Sequence, residues 1–330
     1  MSNLHLLKNN IATKVINSRC ICKSGLPWIK NYEVIMLNPC EHLIHLKCFN
    51  KLHTTKCPYC NIHIYNIIHA NDFKKDKSLY QKCIDIISMS NFDNMSKIYT
   101  DQALLNLPNF MGILSQLPFA KGINESVKIC EDLFAMNNIE IRVKGLKYLK
   151  NPEPKVFISN HTSYLDFLIL FYILKTGFLA SSAILENCLT KKLLDLAPIL
   201  VINRGIDTNT VEKMREHVKK TGSLCLFPEG IITHPDTIIK FRTGAFHIGY
   251  PVYPIVLKYK NVISDMSSKD FLLKIMSCQK EIIDMHILHP FYPPFDDNKI
   301  EMVRSAMANK GNMMLSRVSN RDVIDTPKNS

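Results

Sequence analysis

Residues 155–174 read KVFISNHTSYLDFLILFYIL, and the order of residue types within them decides the fold. "KVFIS" is a short apolar, β-branched run and reads as a buried strand. The segment 165–176 is apolar almost without a break and reads as a helix. Strand, short polar seam and helix form the repeating unit of an α/β sheet. The seam holds Asn160, His161 and Asp166 between two segments that seek burial, where each unpaired polar group costs free energy. Such a placement points to chemistry. Histidine offers a neutral base near pH 7. A carboxylate on its other ring nitrogen fixes the tautomer and stabilises the imidazolium that forms. Five positions across a strand-to-helix turn can return Asp166 under His161, and the pair can then deprotonate a bound alcohol directly. Alone, one such pair among twelve histidines is a weak signal.

The pattern continues on both sides. "EIRVKGL" (140–146) alternates with period two, and "APILVIN" (197–203), "SLCLF" (223–227) and "PVYPIVLKY" (251–259) read as further strands. Pro254 marks the last of these as an edge strand or the site of a bulge. Residues 208–220 form an amphipathic helix with Val211, Met214 and Val218 on one side. The fold class is therefore α/β, a mixed central sheet flanked by helices. Ligands in open α/β sheets bind beyond the carboxyl ends of strands, where polar motifs collect here. "VINRG" (201–205) supplies Arg204, whose guanidinium can grip a phosphate bidentately. "LCLFPEGI" (224–231) supplies Glu229 and Gly230 in a turn that brings backbone close to a ligand. "KFRTGAF" (240–246) adds Lys240 and Arg242. Taken singly, Arg204 or Lys240 is a solvated charge and Glu229 a turn residue; the combination lifts them above that reading. His217 and His247 lie on helical patterns and read as structural, Cys225 as an inert core thiol, and 234–236 as loop.

Composition sets outer limits. The chain has 330 residues, 46% of them hydrophobic, with 41 Lys and Arg against 29 Asp and Glu, a net charge of +12. That excess favours anionic partners such as acidic headgroups, phosphorylated substrates or nucleic acid. Nucleic acid is disfavoured, because basic residues interleaved with aromatics are sparse around Cys40 to Cys60. The first residues lack a sustained apolar core and a small-residue cleavage site, so no signal peptide is expected. No window offers the roughly 20 apolar residues of a membrane-spanning helix. Phe167 to Leu185 reads as a buried helix. Residues 102–120 read either as a surface-lying amphipathic helix, with Leu107, Phe110, Met111, Leu114 and Leu117 on one face, or as a helix packed on the domain. The frequent Lys, Asn and Ile fit an AT-rich genome, as of a parasite or a large virus.

Six of the eleven cysteines lie between Cys20 and Cys60, interleaved with histidines. This clustering argues for metal in a reducing compartment rather than for disulfides. Cys20, Cys22, Cys40, His42, His45, Cys48, Cys57 and Cys60 make eight soft ligands, enough for two tetrahedral zinc ions. A module this short has little core, so metal would supply much of its folding free energy. The spacing resembles the RING finger family, in the variant with two central histidines, which implies a small zinc-bound ββα module. The resemblance assigns Cys20, Cys22, His45 and Cys48 to one zinc and Cys40, His42, Cys57 and Cys60 to the other. A single residue, Ile21, separates the first two cysteines where the family has two. Such modules recruit ubiquitin-conjugating enzymes, and Ile21 and Pro58 match the positions used. Asn61 replaces the usual basic residue after the last ligand, and ligase and plain protein-docking module stand as alternatives.

"NHTSYLD", "VINRG", "FPEG" and "VYPIV" together resemble the glycerolipid acyltransferases, the lysophosphatidate, glycerol-3-phosphate and lysophosphatidylcholine enzymes, from about Ile139 to Lys260. The resemblance implies that His161 is the general base for the acceptor hydroxyl and that Asp166 orients it. Arg204 would bind the acceptor's phosphate, Glu229 and Gly230 would shape that pocket, Lys240 and Arg242 would add basic contacts, and Pro254 would lie on the acyl-donor side. Attack would fall directly on an acyl-CoA thioester. Ile231 and Ile232 follow the Glu-Gly where many lysophosphatidate enzymes have Thr-Arg, so the acceptor, lysophospholipid or glycerol phosphate, stays open. The implied organisation is a zinc finger at 15–66, a helical linker with the amphipathic segment at 67–137, an acyltransferase domain at 138–319 and a disordered tail at 320–330. The implied setting is the cytosolic face of an intracellular membrane, entered from one side only. The competing function is a RING-type ligase or docking module, tied to membrane by a non-catalytic acyltransferase-like domain.

Overall fold

The computed structural model describes Cys20 and residues 34–89, 100–182, 197–203, 209–260 and 268–324. In chain order, a first group of elements is β1 (Val34–Asn38), β2 (Leu43–His45), α1 (Leu46–Phe49), β3 (Asn66–His69), α2 (Ala70–Lys75) and α3 (Lys77–Met89). Next come α4 (Thr100–Leu114), α5 (Ile123–Met136), β4 (Ile139–Lys144), β5 (Lys155–Ser159), α6 (Leu165–Leu174), β6 (Gly177–Ser181) and β7 (Ile199–Ile202). After these stand α7 (Thr210–Thr221), β8 (Ser223–Leu226), β9 (Thr237–Ile238), β10 (Val252–Tyr259) and α8 (Ser268–Met276). The chain closes with β11 (Glu281–Ile287), α9 (Asp297–Gly311), β12 (Met314–Leu315) and α10 (Asn320–Ile324).

Two compact units emerge, and they are interleaved along the chain. One draws its described residues from Met1–Met95, Ile232–Lys240 and Met313–Ser330, the other from Ser96–Ile231 and Phe241–Asn312. The division therefore differs from the consecutive one at 15–66, 67–137, 138–319 and 320–330. Long-range pairing is the cause. β9 pairs in parallel with β12, Thr237 with Met314 and Ile238 with Leu315. The fully buried Asp85 carboxylate on α3 accepts hydrogen bonds from Gln81 Nε2 (3.0 Å), Ser316 Oγ (3.1 Å), Arg317 N (2.7 Å) and Arg317 Nε (2.7 Å). A buried charge is tolerated only with such complete pairing, and here the pairing fastens residues 316–317 to α3. The tail expected to be disordered from 320 instead begins with α10. Ser319 N and Oγ both donate to Asp322 Oδ2 (2.8 and 2.7 Å), which fixes the helix start.

In the first unit, β1 lies between β2 and β3 in a three-stranded antiparallel sheet. Ile35, Leu37, Leu43 and Ile44 are among its fully buried side chains.

The second unit holds a seven-stranded sheet in the order β4-β11-β10-β5-β8-β6-β7. All neighbours run parallel except β10 and β11. The sheet is thus mixed, as the alternating sequence pattern led us to expect. β10 is an interior strand, which corrects the edge reading of Pro254. The bulge reading fits better: Val252 faces Phe291 while Ile255 faces Ile287, so three residue steps on β10 span four on its partner. A proline without an N–H sits where that register slips.

The apolar run after Asp166 does not continue as one helix to Leu185. α6 stops at Leu174 because Lys175 takes a left-handed conformation (φ 52°), and Gly177 opens β6. The close approach there needs glycine: a Cβ at 177 would stand 2.5 Å from Pro198 O and 2.6 Å from His217 Nε2. α4 answers the two readings of 102–120 in different parts. Ala103, Phe110, Leu114 and Leu117 join the hydrophobic core, whereas Leu104, Leu105, Leu107, Met111 and Phe119 are exposed. Asn106 Nδ2 donates to Met276 O (2.9 Å) and pins the helix to the end of α8. Among the described residues no helix is long and apolar enough to cross a membrane.

Candidate active site

β5 is buried along its whole length and delivers Asn160 and His161 at its carboxyl end. Asn160 extends the pairing with β10 through its side chain: Nδ2 donates to Leu257 O (3.0 Å) and Leu257 N donates to Oδ1 (2.8 Å). An amide satisfied on both sides fixes the backbone on which His161 stands. Asp166 follows in the first turn of α6, where the helix N-terminus favours a negative charge. Its side chain is fully buried, whereas that of His161 is 20% exposed, so the imidazole is reachable and its partner is not.

His161 Nδ1 lies 2.9 Å from Asp166 Oδ2. The same oxygen accepts the backbone N–H of Thr162 (2.7 Å) and of Ser163 (3.0 Å). The hydroxyl of Tyr259, at the end of β10, donates to Asp166 Oδ1. Four donors hold the carboxylate as an acceptor, so the neutral imidazole donates through Nδ1 and carries its lone pair on Nε2. That is the tautomer a base needs.

The turn after β8 closes over the same residues. Phe227 stacks on the His161 ring, with centroids 4.0 Å apart and planes 15° from parallel. Glu229 is fully buried, and its Oε1 accepts the backbone N–H of His161 (3.1 Å). Gly230 has φ 76° and donates its N–H to Phe227 O (2.9 Å), a left-handed turn conformation that glycine adopts without strain. Arg242 N donates to Pro228 O (2.8 Å), which ties the backbone of Arg242 to this turn while its side chain is exposed. Pro254 stands opposite Ile158 within the sheet. Lys240 belongs to the other compact unit, where its N–H donates to Val318 O (2.9 Å). Arg204 lies outside the described residues. Cys225 is a buried thiol in β8, and burial pushes its pKa up, in keeping with an inert core residue.

His161, Asp166, Glu229 and the Gly230 turn are thus brought together from residues 68 apart in sequence. Sequence reasoning missed Tyr259, the flat contact of Phe227, and the backbone donors of Thr162 and Ser163. The signal for Tyr259 was available: it ends a strand of the sheet, at the same kind of position as His161.

The first unit holds two clusters of potential metal ligands. Ligand atoms of Cys40, His42, Cys57 and Cys60 lie within 4.8 Å of one another, as do those of Cys20, His45 and Cys48. Cys22 lies outside the described residues. Backbone N–H groups point at two of the sulfurs, Tyr59 N at Cys57 (3.4 Å) and His45 N at Cys20 (3.4 Å). Donors to sulfur favour the thiolate, the form that binds metal. A hydrogen bond from the Cys40 thiol pulls Cys57 down to about 3, with His42 and backbone N–H groups adding to the effect. The same contact, together with burial, pushes Cys40 up.

Known proteins resemble part of this chain. Lysophospholipid acyltransferase LPEAT1 of Arabidopsis thaliana is 31% identical over 204 residues, covering 56% of this chain and 51% of that protein. Glycerol-3-phosphate acyltransferase 4 of Homo sapiens is 27% identical over 177 residues, covering 48% of this chain and 38% of that protein. The chain therefore spans about half, or less, of the length of these relatives. The crystal structure of the 1-acyl-sn-glycerophosphate (LPA) acyltransferase PlsC from Thermotoga maritima matches 64% of this chain and 94% of that chain, at 14% identity and a TM-score of 0.45. Residues 140–258, which carry His161, Asp166, the Gly230 turn and most of β10, match a protein-family model described as Acyltransferase.

Proposed function

We propose that the protein is an acyl-CoA-dependent O-acyltransferase acting on a lysophospholipid or glycerol phosphate at a membrane surface. One observation carries this reading: the reachable His161 imidazole, oriented by the buried Asp166, at the carboxyl end of β5 inside the segment that matches an acyltransferase family. In the proposed reaction His161 Nε2 takes the proton of the acceptor hydroxyl. The oxygen attacks the thioester carbonyl carbon, a C–O bond forms and the C–S bond breaks. The CoA thiolate leaves and recovers the proton from the imidazolium, giving ester and free CoA. Asp166 balances the charge on the imidazolium, and the Phe227 face adds a cation–π contact as that charge forms. Arg204 would hold the acceptor phosphate, with Arg242 as a further basic group. Glu229 and Gly230 would shape the pocket, and Pro254 would lie toward the acyl donor. The test is release of CoA thiol from acyl-CoA with a panel of acceptors. Acceptor-dependent release that disappears in His161→Ala supports the reading; equal release from both proteins removes it.

The exposed apolar side chains of α4 support membrane contact from one side. Leu105 and Met111 are 73% and 55% exposed, and Phe119 just beyond the helix is 77% exposed. We expect the double variant Leu105→Asp, Met111→Asp to lose about tenfold or more in flotation with acidic lipid vesicles, since burying such side chains is worth about 1.5–3 kcal/mol each. Melting temperature should change little, because neither residue lies in the core. Unchanged flotation would place the membrane contact elsewhere.

A second reading rests on the Cys/His clusters. Their four-donor chemistry and their backbone donors to sulfur fit structural zinc, two ions per chain, held by Cys40, His42, Cys57 and Cys60 and by Cys20, His45 and Cys48 with Cys22. Zinc there would fold the module rather than take part in acyl transfer. The module would dock a protein partner, a ubiquitin-conjugating enzyme being the candidate that its ligand spacing brings.

A further inference from the structure

We infer that Tyr259 is a positioning residue for acyl transfer, its hydroxyl holding the outer oxygen of Asp166 and, through that carboxylate, the orientation and charge of His161. This rests on the reading of His161 as the base. The two oxygens of Asp166 are used differently. Oδ2 takes His161 Nδ1 and the two backbone N–H groups from the adjoining turn. Oδ1 takes the Tyr259 hydroxyl, which reaches it from a different strand, 93 residues away in sequence. Three donors on one oxygen leave the carboxylate free to pivot about that oxygen; a fourth on the other oxygen stops the pivot.

Any tyrosine in a core needs a partner for its hydroxyl. Tyr253, on the same strand, reaches Glu153 (3.4 Å), away from the pair. Tyr259 differs because its partner is the carboxylate that orients the base. Burial first, and then the charge of Asp166, raise the phenol well above its ordinary range, so it remains a proton donor. Ser163 hydrogen-bonds to the phenol from the turn, Glu281 faces it from β11, and Lys274 on α8 faces Glu281. Cys225 on β8 feels Asp166, and Glu229 holds the His161 backbone.

The consequence is a direction. A hydroxyl bound to Oδ1 draws charge away from the carboxylate. Without it, more charge faces the imidazolium, His161 holds its proton more tightly, and the base works only at higher pH. The test compares wild type, Tyr259→Phe and Tyr253→Phe, with kcat and kcat/KM measured across pH. For Tyr259→Phe we expect kcat to fall about tenfold, the size expected for one hydrogen bond to a charge, with KM for acyl-CoA unchanged. The acid limb of kcat/KM should move up by about half to one pH unit. Tyr253→Phe should leave the limb in place. A ring-fluorinated tyrosine incorporated at 259 is a stronger donor of the same shape and should move the limb down; it decides the matter if Tyr259→Phe fails to fold. A limb that stays put in these proteins overturns the inference. If instead His161→Ala retains acyl transfer, the underlying reading fails, and the two failures are thereby distinguished.

Discussion

His161→Ala is expected to lower acyl transfer by about 10³-fold with the fold intact. A positioned general base contributes roughly 10²–10⁴ in rate. The imidazole is partly exposed and stacks on the Phe227 ring, so its truncation should cost the core little packing. Asp166→Asn should be nearly as damaging to kcat, for a different reason. The asparagine oxygen can still accept the three donors at the Oδ2 position, and its NH₂ can turn to the Tyr259 hydroxyl, which then accepts instead of donating. The hydrogen bonds survive and the charge does not. We therefore expect a loss of about 10²–10⁴ in kcat with a small change in melting temperature, because only the imidazolium loses its counter-charge. Thiol release together with a thermal melt separates this from misfolding. A wild-type rate in either variant would exclude the pair from the chemistry.

Removing metal is expected to unfold the first unit. Apparent binding free energies of structural zinc, about 10–16 kcal/mol, rival the whole stability of a typical domain, about 5–15 kcal/mol. Metal analysis of purified protein should return about two zinc per chain, by the tetrahedral count. Cys57→Ser should return about one and lose the near-ultraviolet circular dichroism of the unit, as should the wild type treated with a strong chelator. Zinc should also leave as pH falls, since each thiolate or imidazole ligand that gains a proton ceases to bind. One zinc in the wild type would mean that Cys20, His45 and Cys48 hold none. No zinc, with a stable unit, would end the metal reading.

Much of the second unit was legible because its signals are local. "KVFIS" followed by a polar seam and an apolar run could be little other than strand, turn and helix, and His161 and Asp166 stand within one such unit. What stayed hidden depends on distance or on single residues. The end of α6 at Lys175 rests on one left-handed residue, which an apolar run does not announce. Pro254 looked like an edge because its missing N–H was visible, whereas the register slip that absorbs it is a property of two strands. Tyr259 meets Asp166 only through the neighbouring β5 and β10, so no window of sequence contains both. The segment 102–120 was ambiguous because α4 carries apolar residues on two faces, one packed and one bare.

The interleaving of the two units carries a practical consequence for anyone dissecting the gene. A shortened protein running from residue 96 to 312 would keep β9 yet discard β12, its partner, and would expose Ile238 and Ile239, both fully covered in the intact chain. An orphaned apolar strand is a template for self-association, so such a fragment should precipitate where the full-length polypeptide stays dispersed. The complementary fragment, cut after residue 95, would strand Asp85 without Ser316 and Arg317. Neither half is a clean excision. Loss-of-function alleles made by truncation would therefore report on collapse of both halves, and single-residue alleles are the ones that can tell them apart.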